Sequence, residues 1–354
     1  MISEKEIKRY LQIVRDLAGE NGFYDIHVHP FEIIFDSVDY HPSNLQKGLY
    51  GTGNTLFRPP EIADLKSDSG LRPGREKSGP WKPEYHMINL RRIYSHTGPE
   101  VFGHHMALSG IDKVLLLPVA PPNGILDRRM EAMAGIFGED QRFSFSSSVP
   151  NAVKDHDIIE FVRDEIRKFK IVAVKLHPNI TGIDLGSRSG KERVESILES
   201  CEEFRLPLVV HGGRSPVLRN LEAVEYGSIR NFEEIHWGIS KRAVIIAHAG
   251  GYGCDPIEME QEILPVLKRL LSRFSNLMID LSGLEMESLA LVLRDVDVKR
   301  ILFGSDALYA APWTVLAKLA HAIKGAGMGL EETLMQIGSV NPSKFIFKET
   351  GIKA

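Results

Sequence analysis

Short apolar runs alternate with amphipathic segments along most of the chain. Eight of the runs have the length of a strand, and nearly all are continuously apolar, as in strands that are buried on both faces of a parallel sheet. Helical segments with apolar residues at three- and four-residue spacing follow these runs. This alternation predicts βα units, and eight such units close into a barrel. We therefore expect an α/β protein with a (β/α)8 TIM barrel. The alternative is an open doubly wound sheet, but no Gly-x-Gly-x-x-Gly turn follows the first strand.

One segment interrupts the alternation directly after the first predicted strand. Residues from about 30 to 95 contain many prolines, glycines and charged side chains and keep no sustained period. A loop of this length is usually functional or disordered. We expect a lid or a substrate-contacting excursion, and a decorative insertion is the alternative. Together with this insertion, the chain fits a single barrel domain that spans residues 1–354.

Composition and charge narrow the class of protein. The 43 basic and 47 acidic residues give a formal charge of −4, so there is no electrostatic case for binding nucleic acid or an anionic membrane. No apolar run approaches the length of a membrane span, and no signal-peptide core is visible. Cys201 and Cys254 lack the spacing of a zinc finger or a disulfide framework. The expectation is a cytoplasmic protein that acts on a small molecule.

Ionisable residues collect at the carboxyl ends of the predicted strands. Asp25-Ile26-His27-Val28-His29 forms the end of the first strand, and side chains two residues apart on a strand point the same way. Later strands end in Lys175 and His177 (the fourth), His211 (the fifth), His248 (the sixth) and Asp306 (the eighth). In a barrel all these positions line one mouth, the face where active sites lie.

The chemistry of this set indicates a metal site. Any one of these histidines could be an ordinary buried side chain, but ionisable groups at the ends of several buried strands are costly unless they are paired or bind metal. Nitrogen and carboxylate ligands without a thiolate suit Zn²⁺, and they also suit Mn²⁺, Fe²⁺ or Co²⁺. Three histidines and one aspartate with room for water are typical of a catalytic site. Asp25 lies one layer deeper, and we expect it to support the ligands without coordinating.

These motifs resemble a known family. Asp-x-His-x-His on strand one, Val-Lys-Leu-His-Pro on strand four and Gly-Ser-Asp on strand eight, together with His211 and His248, are similar to the amidohydrolase superfamily of metal-dependent hydrolases. Within it, the chain most resembles the amidohydrolase-2 branch, which includes the aminocarboxymuconate semialdehyde decarboxylase-like enzymes. The resemblance covers the chain apart from the insertion, and it implies a homo-oligomer, a dimer or larger.

The resemblance also implies roles for individual residues. The metal ligands would be His27, His29, His211 and Asp306. Asp306 would in addition take the proton from a metal-activated water. His248 would polarise the substrate or act as an acid or base, and it would bind a second ion in a two-metal site.

For two residues of strand four the resemblance leaves alternatives open. Lys175 would bridge two metal ions only if its amine is carboxylated, and otherwise it would bind a substrate anion or pair with a charge inside the barrel. His177 would contact the substrate or support the site. The number of metal ions, one or two, stays open at this point.

The predicted activity is hydrolysis of an amide, lactone or ester-like bond by a metal-activated water. The first alternative is non-oxidative decarboxylation, or a related lyase reaction, of a small carboxylated substrate. The second is a non-catalytic barrel that retains its metal for stability.

Overall fold

The computed structural model describes most of the chain outside the predicted insertion. The described ranges are 2–29, 99–120, 127–215, 222–307 and 310–347. The insertion expected at about 30–95 lies outside these ranges.

Eight parallel strands follow one another around the sheet in chain order. They are β1 (Tyr24–Val28), β2 (Lys113–Leu116), β3 (Phe143–Ser148), β4 (Ala173–Leu176), β5 (Leu208–Val210), β6 (Val244–Ile246), β7 (Leu277–Asp280) and β8 (Ile301–Leu302). The sheet closes where the residues after β8 meet β1. Val28 pairs with Ala307, and the backbone N–H of Asp306 donates to the carbonyl of His27 at 2.9 Å. The prediction of a (β/α)8 barrel is confirmed.

Helices connect the strands and cover the outside of the barrel. They are α1 (Glu4–Asn21), α2 (Pro99–Ser109), α3 (Asp127–Phe137), α4 (Ile158–Phe169), α5 (Pro178–Thr181), α6 (Arg188–Glu203), α7 (Pro256–Glu258), α8 (Leu264–Arg273), α9 (Met286–Asp295), α10 (Pro312–Gly325) and α11 (Leu330–Met335). Ser3 begins α1 with a capping box, because its hydroxyl accepts from the N–H of Glu6 while the Glu6 carboxylate accepts from the N–H of Ser3. Among the described helices, none combines the length and the apolar character needed to cross a membrane.

Alternate positions of the strands belong to two separate apolar clusters, which explains the continuously apolar runs. One cluster fills the barrel and contains Ile26, Leu115, Leu117, Ala173, Val209, Ala243, Ile245, Ala247, Met278, Leu302 and Ile346. The other packs against the helices and includes Val114, Leu116, Val174, Leu208, Val210, Val244, Ile246, Leu277, Ile279 and Ile301. Ile346 comes from the C-terminal turn Ser343–Phe347, so this turn packs against the inner cluster. The barrel is therefore a packed core, and polar chemistry is confined to its mouth.

Lys318 is a charged residue buried on α10. Its side chain is only 3% exposed, and burial lowers the pKa of its ammonium to about 8, although the charge of Glu285 acts in the opposite direction. At pH 7 the folded chain thus holds a charge that the unfolded chain leaves in water. A pKa difference of about 2.5 corresponds to about 3 kcal/mol of unfolding free energy.

Replacing this lysine by an apolar residue of similar length should stabilise the fold. We expect Lys318→Met to raise the free energy of unfolding at pH 7 by about 1–3 kcal/mol. Because the unfolded chain binds more protons between the folded and unfolded pKa values, the native chain should also gain stability from about pH 8 to about pH 10.5, and the variant should lose this gain. Urea unfolding at a series of pH values measures both effects.

The matched control is Lys324→Met, which removes an exposed lysine from the same helix. It should change the free energy of unfolding by less than about 0.5 kcal/mol. A destabilised Lys318→Met variant with an unchanged pH dependence would contradict the assignment of a costly buried charge.

Candidate metal centre

His27 and His29 face each other at the end of β1. Their Nε2 atoms are 3.2 Å apart. The Nδ1 atom of His27 lies 2.8 Å from Oδ2 of Asp280, and the Nδ1 atom of His29 lies 3.0 Å from the backbone oxygen of Leu117. A carboxylate and a carbonyl only accept, so each Nδ1 carries the proton and each Nε2 presents a lone pair. Two lone pairs at this distance repel unless a cation lies between them.

Asp306 adds a carboxylate oxygen to the same place. Its Oδ1 lies 3.2 Å from Nε2 of His29 and 3.6 Å from Nε2 of His27. This buried oxygen has no hydrogen-bond donor among the described residues. Ligands at zinc distance in a tetrahedron are about 3.3 Å from one another. The three donors therefore have the spacing and the chemistry that fit a divalent cation.

His211 and His248 form a second pair of facing imidazoles. Nε2 of His248 lies 3.2 Å from Nδ1 of His211. His211 donates from its Nε2 to the carbonyl of Arg214 at 3.2 Å, and His248 donates from its Nδ1 to the carbonyl of Ser282 at 3.0 Å. Both facing nitrogens thus carry lone pairs as well. The two pairs adjoin, because the ring centres of His27 and His248 are 4.9 Å apart.

The predicted fourth ligand stands apart from the first three. His211 is not among the donors that lie within 4.8 Å of one another around His27, His29 and Asp306. Its side chain contacts His248 and His177 instead.

A third donor group consists of His27, His248 and Asp280, and it surrounds a hydroxyl. Oγ of Ser282 lies 3.1 Å from Nδ1 of His27, 2.9 Å from Nδ1 of His248 and 2.5 Å from Oδ1 of Asp280. The centre of this group is taken by a protein atom, so it is a hydrogen-bonded cluster. Neither Asp280 nor Ser282 was among the residues predicted from the sequence. Asp280 ends the apolar run of β7, as the predicted ligands end theirs, and this signal could have revealed it.

The two residues of β4 lie at the same mouth. Lys175 is fully buried, and its Nζ has no hydrogen-bond acceptor among the described residues. Burial lowers the pKa of its ammonium to about 8, against the opposite effect of the charges on Asp280 and Asp306. His177 stacks on His211 with ring centres 3.9 Å apart. Its Nδ1 accepts from the N–H of Ile180 at 3.3 Å, so its Nε2 carries the proton.

Four imidazoles of the mouth have lowered pKa values, which favours their neutral form. Burial, together with the charge of Lys175, lowers the pKa of His27 to about 3, although the charges of Asp280 and Asp306 act in the opposite direction. Burial also lowers the pKa values of His177, His211 and His248. Neutral imidazole is the form that binds metal.

Asp25 contacts backbone and not the facing nitrogens. Its Oδ1 accepts from the N–H of Ser305 at 3.0 Å and from the N–H of His27 at 3.1 Å. Burial raises the pKa of this carboxyl to about 7, although these hydrogen bonds act to lower it. The contacts join the ligand-bearing ends of β1 and β8, in keeping with the expected supporting role.

Strained backbone positions accompany these side chains. His248, Ala249 and Asp306 have φ values of 57°, 49° and 59°, in the left-handed region that non-glycine residues rarely occupy. The loops after β5 and β6 also cross closely, since a Cβ on Gly212 would lie 2.7 Å from Cα of Gly250. Such strain persists only where the surrounding structure enforces it, and it is concentrated at functional sites.

Tyr252 is a further contact that sequence reasoning missed. Its ring centre lies 5.4 Å from that of His211 and 4.6 Å from that of His248. Its N–H donates to the carbonyl of Gly212 at 3.1 Å, and its carbonyl accepts from Arg214 at 2.9 Å. No local pattern around Tyr252 signals this position, because the contacts come from the crossing of two loops.

Comparison with known proteins finds solved structures with the same fold. Similar solved structures include an uncharacterised TIM-barrel protein from Bordetella bronchiseptica (TM-score 0.56, 12% identity, covering 93% of this chain and 99% of that one). A 2,6-dihydroxybenzoate decarboxylase from Rhizobium has a TM-score of 0.54 at 13% identity, with 92% of this chain and 98% of that one covered. A dihydroxybenzoic acid decarboxylase from Polaromonas, with bound manganese, has a TM-score of 0.53 at 12% identity, with 92% and 96% covered.

At these identities the solved structures establish the fold alone, and no curated protein matches the chain. The family is decided by the sequence match, which runs from residue 24 to residue 336 and so covers most of the barrel. The chain belongs to the amidohydrolase-2 branch of the amidohydrolase superfamily.

Proposed function

We propose that the chain is a metal-dependent hydrolase that cleaves an amide, lactone or ester-like bond. Membership of the family supports metal-dependent catalysis in general. The observation that carries the proposal is the convergence of two unprotonated Nε2 atoms, on His27 and His29, with an unsatisfied carboxylate oxygen of Asp306. His211, from the end of β5, is the proposed fourth ligand. When bound, a divalent ion supplies Lewis acidity and lowers the pKa of a water molecule toward neutrality.

The residues of the chain supply proton transfer and positioning. Asp306 is the proposed general base, because its carboxylate lies at the metal donors and can accept a proton from the attacking water. His248 is the proposed acid–base partner on the substrate side. Its Nδ1–H is held by the carbonyl of Ser282, which leaves Nε2 free to accept a proton.

Two donors are proposed to bind substrate oxygens. His177 presents a protonated Nε2 while remaining neutral, and Lys175 brings a buried ammonium with no acceptor among the described side chains. Buried donors of this kind stabilise an oxygen on which negative charge develops.

The identity of the metal and the number of ions are also proposed here. Zn²⁺ is preferred for a set of imidazoles and one carboxylate, and Mn²⁺, Fe²⁺ or Co²⁺ fit the same atoms. A second ion would use Nε2 of His248 together with a carboxylated Lys175. The lowered pKa of Lys175 favours this, since only the neutral amine can take up CO₂.

Non-oxidative decarboxylation is the second candidate. Lys175 supports it, because a buried cation with no acceptor among the described residues suits the carboxylate of a substrate. Two of the similar structures carry the names of hydroxybenzoate decarboxylases. In this reaction His248 or Asp306 would deliver a proton to carbon, and no water would attack.

Metal binding is the first test. Protein purified without added metal should contain at least one divalent transition metal ion per chain, as measured by inductively coupled plasma mass spectrometry. His29→Ala and His211→Ala should each weaken Zn²⁺ binding by about 10-fold or more, since each removes a ligand. His156→Ala, which removes an exposed histidine, should leave the metal content unchanged. Unchanged metal content in His211→Ala would refute that residue as a ligand.

The second test separates hydrolysis from decarboxylation. Metal-loaded protein is incubated in ¹⁸O-labelled water with a panel of lactones, amides and carboxylated aromatics. Hydrolysis places one ¹⁸O atom in the product acid, whereas decarboxylation releases CO₂ and leaves the other product unlabelled. Asp306→Asn should lower kcat by at least about 100-fold in either case. A metal-loaded chain without turnover on any of these substrates would favour the non-catalytic barrel.

A further inference from the structure

One carboxylate at the end of β7 receives hydrogen bonds from two functional histidines. Oδ2 of Asp280 accepts from Nδ1 of His27 at 2.8 Å. Oδ1 accepts from the backbone N–H of His248 at 3.0 Å, from the backbone N–H of Ser282 at 3.0 Å and from the hydroxyl of Ser282 at 2.5 Å. The side chain is fully buried, so four donors replace the water that this charge has lost.

Ser282 extends this arrangement to the imidazole of His248. Its hydroxyl hydrogen is used on Asp280, so Oγ can only accept from Nδ1 of His248 at 2.9 Å. The carbonyl of Ser282 lies 3.0 Å from the same nitrogen and is also an acceptor. The tautomer of an imidazole is set by the hydrogen bond that its other nitrogen makes. Both acceptors therefore keep the proton of His248 on Nδ1.

The same carboxylate holds the backbone at His248. The N–H that donates to Oδ1 belongs to a residue with a φ of 57°, and strained backbone of this kind needs a fixed partner. Ring orientation, tautomer and backbone conformation of His248 thus depend on one pair of residues, which also sets the tautomer of His27.

We propose that Asp280 and Ser282 are positioning residues that fix His27 and His248 together as Nδ1–H tautomers, so that both present Nε2 lone pairs at the barrel mouth. This inference rests on the proposed function for its purpose, because His27 is the proposed metal ligand and His248 the proposed acid–base residue. The hydrogen bonds are all made by groups of the chain itself, so the arrangement can be tested in metal-free protein.

Nitrogen NMR of the metal-free chain measures the tautomers directly. The chain has 13 histidines, and the signals of interest are assigned by comparison with His27→Gln and His248→Gln. In long-range ¹H–¹⁵N spectra of ¹⁵N-histidine-labelled protein, both residues should show a protonated Nδ1 and an unprotonated Nε2. A protonated Nε2 on either residue in the native chain would overturn the proposal.

Asp280→Asn is the sharpest variant, because an amide of the same shape has a donor on one side. If the amide nitrogen faces His27, Nδ1 of His27 must accept and its proton moves to Nε2. If the nitrogen faces the other side, it meets three groups that now donate, and Ser282 is released to donate to His248. The second orientation sets the amide nitrogen against the backbone N–H groups of His248 and Ser282, so the first is favoured. His27 should therefore become Nε2–H, and Zn²⁺ affinity should fall by about 10- to 100-fold. Retention of both native tautomers with an affinity within about twofold of native would overturn the proposal.

Two further variants separate positioning from a general loss of stability. Ser282→Ala keeps the carboxylate and the carbonyl, so Zn²⁺ affinity should fall only about 3- to 10-fold and His27 should stay Nδ1–H. Glu165→Gln neutralises a buried carboxylate that accepts from Ser147 away from the site, and it should change melting temperature without changing either tautomer. Tautomer changes in Glu165→Gln equal to those in Asp280→Asn would show that the effect is only structural.

The test of this inference and the test of the proposed function can fail independently of each other. The native chain could show Nδ1–H on both His27 and His248 and yet bind no metal. This result would refute the metal-dependent function and leave the arrangement of Asp280 and Ser282 standing. Metal binding with unchanged tautomers in Asp280→Asn would refute the positioning role of Asp280 and Ser282 and leave the metal-dependent function standing.

Discussion

The structure depends on how the charged groups that are buried at one end of the barrel are compensated. Asp25, Lys175, Asp280 and Asp306 are all buried there with five imidazoles. A carboxylate in such a place is tolerated only when donors surround it or a cation lies beside it. Asp280 has the first solution, with four donors. Oδ1 of Asp306 has no donor among the described residues, and the proposed metal ion would provide the second.

The two groups of candidate metal ligands, one around Asp280 and one around Asp306, therefore differ in their hydrogen bonding. Around Asp280, the hydroxyl of Ser282 completes the hydrogen bonding, and the nitrogens of His27 and His248 on that side are protonated. On the opposite side of His27, facing Asp306, the nitrogens lack protons. The imidazole of His27 thus connects a saturated hydrogen-bonded cluster with the other proposed metal ligands. This is the arrangement in which an outer acceptor orients a metal ligand and makes it more basic.

Much of the fold and part of the site could be predicted because they depend on local sequence pattern. Continuous apolar runs predicted strands buried on both faces, and polar residues at their carboxyl ends marked one mouth of a barrel. The structure places His27, His29 and Asp306 together as expected. It could not be foreseen that Ser282 would occupy the centre of a donor group or that Tyr252 would pack on two histidines, because those contacts join loops from different strands. The left-handed backbone at His248 has the same non-local origin.

The short eighth strand has a consequence for the barrel as a whole. Only Ile301 and Leu302 form β8, and the sheet is completed by hydrogen bonds from the backbone of Asp306 and His29. The seam of the barrel therefore runs through the residues whose side chains form the proposed metal centre. An ion bound there would connect positions 27 and 306, which are separated by about four-fifths of the chain, and would stabilise the closed barrel. When the ion is bound, the backbone amides at the seam would then exchange their hydrogens more slowly than those in the rest of the sheet. This difference can be measured without a substrate.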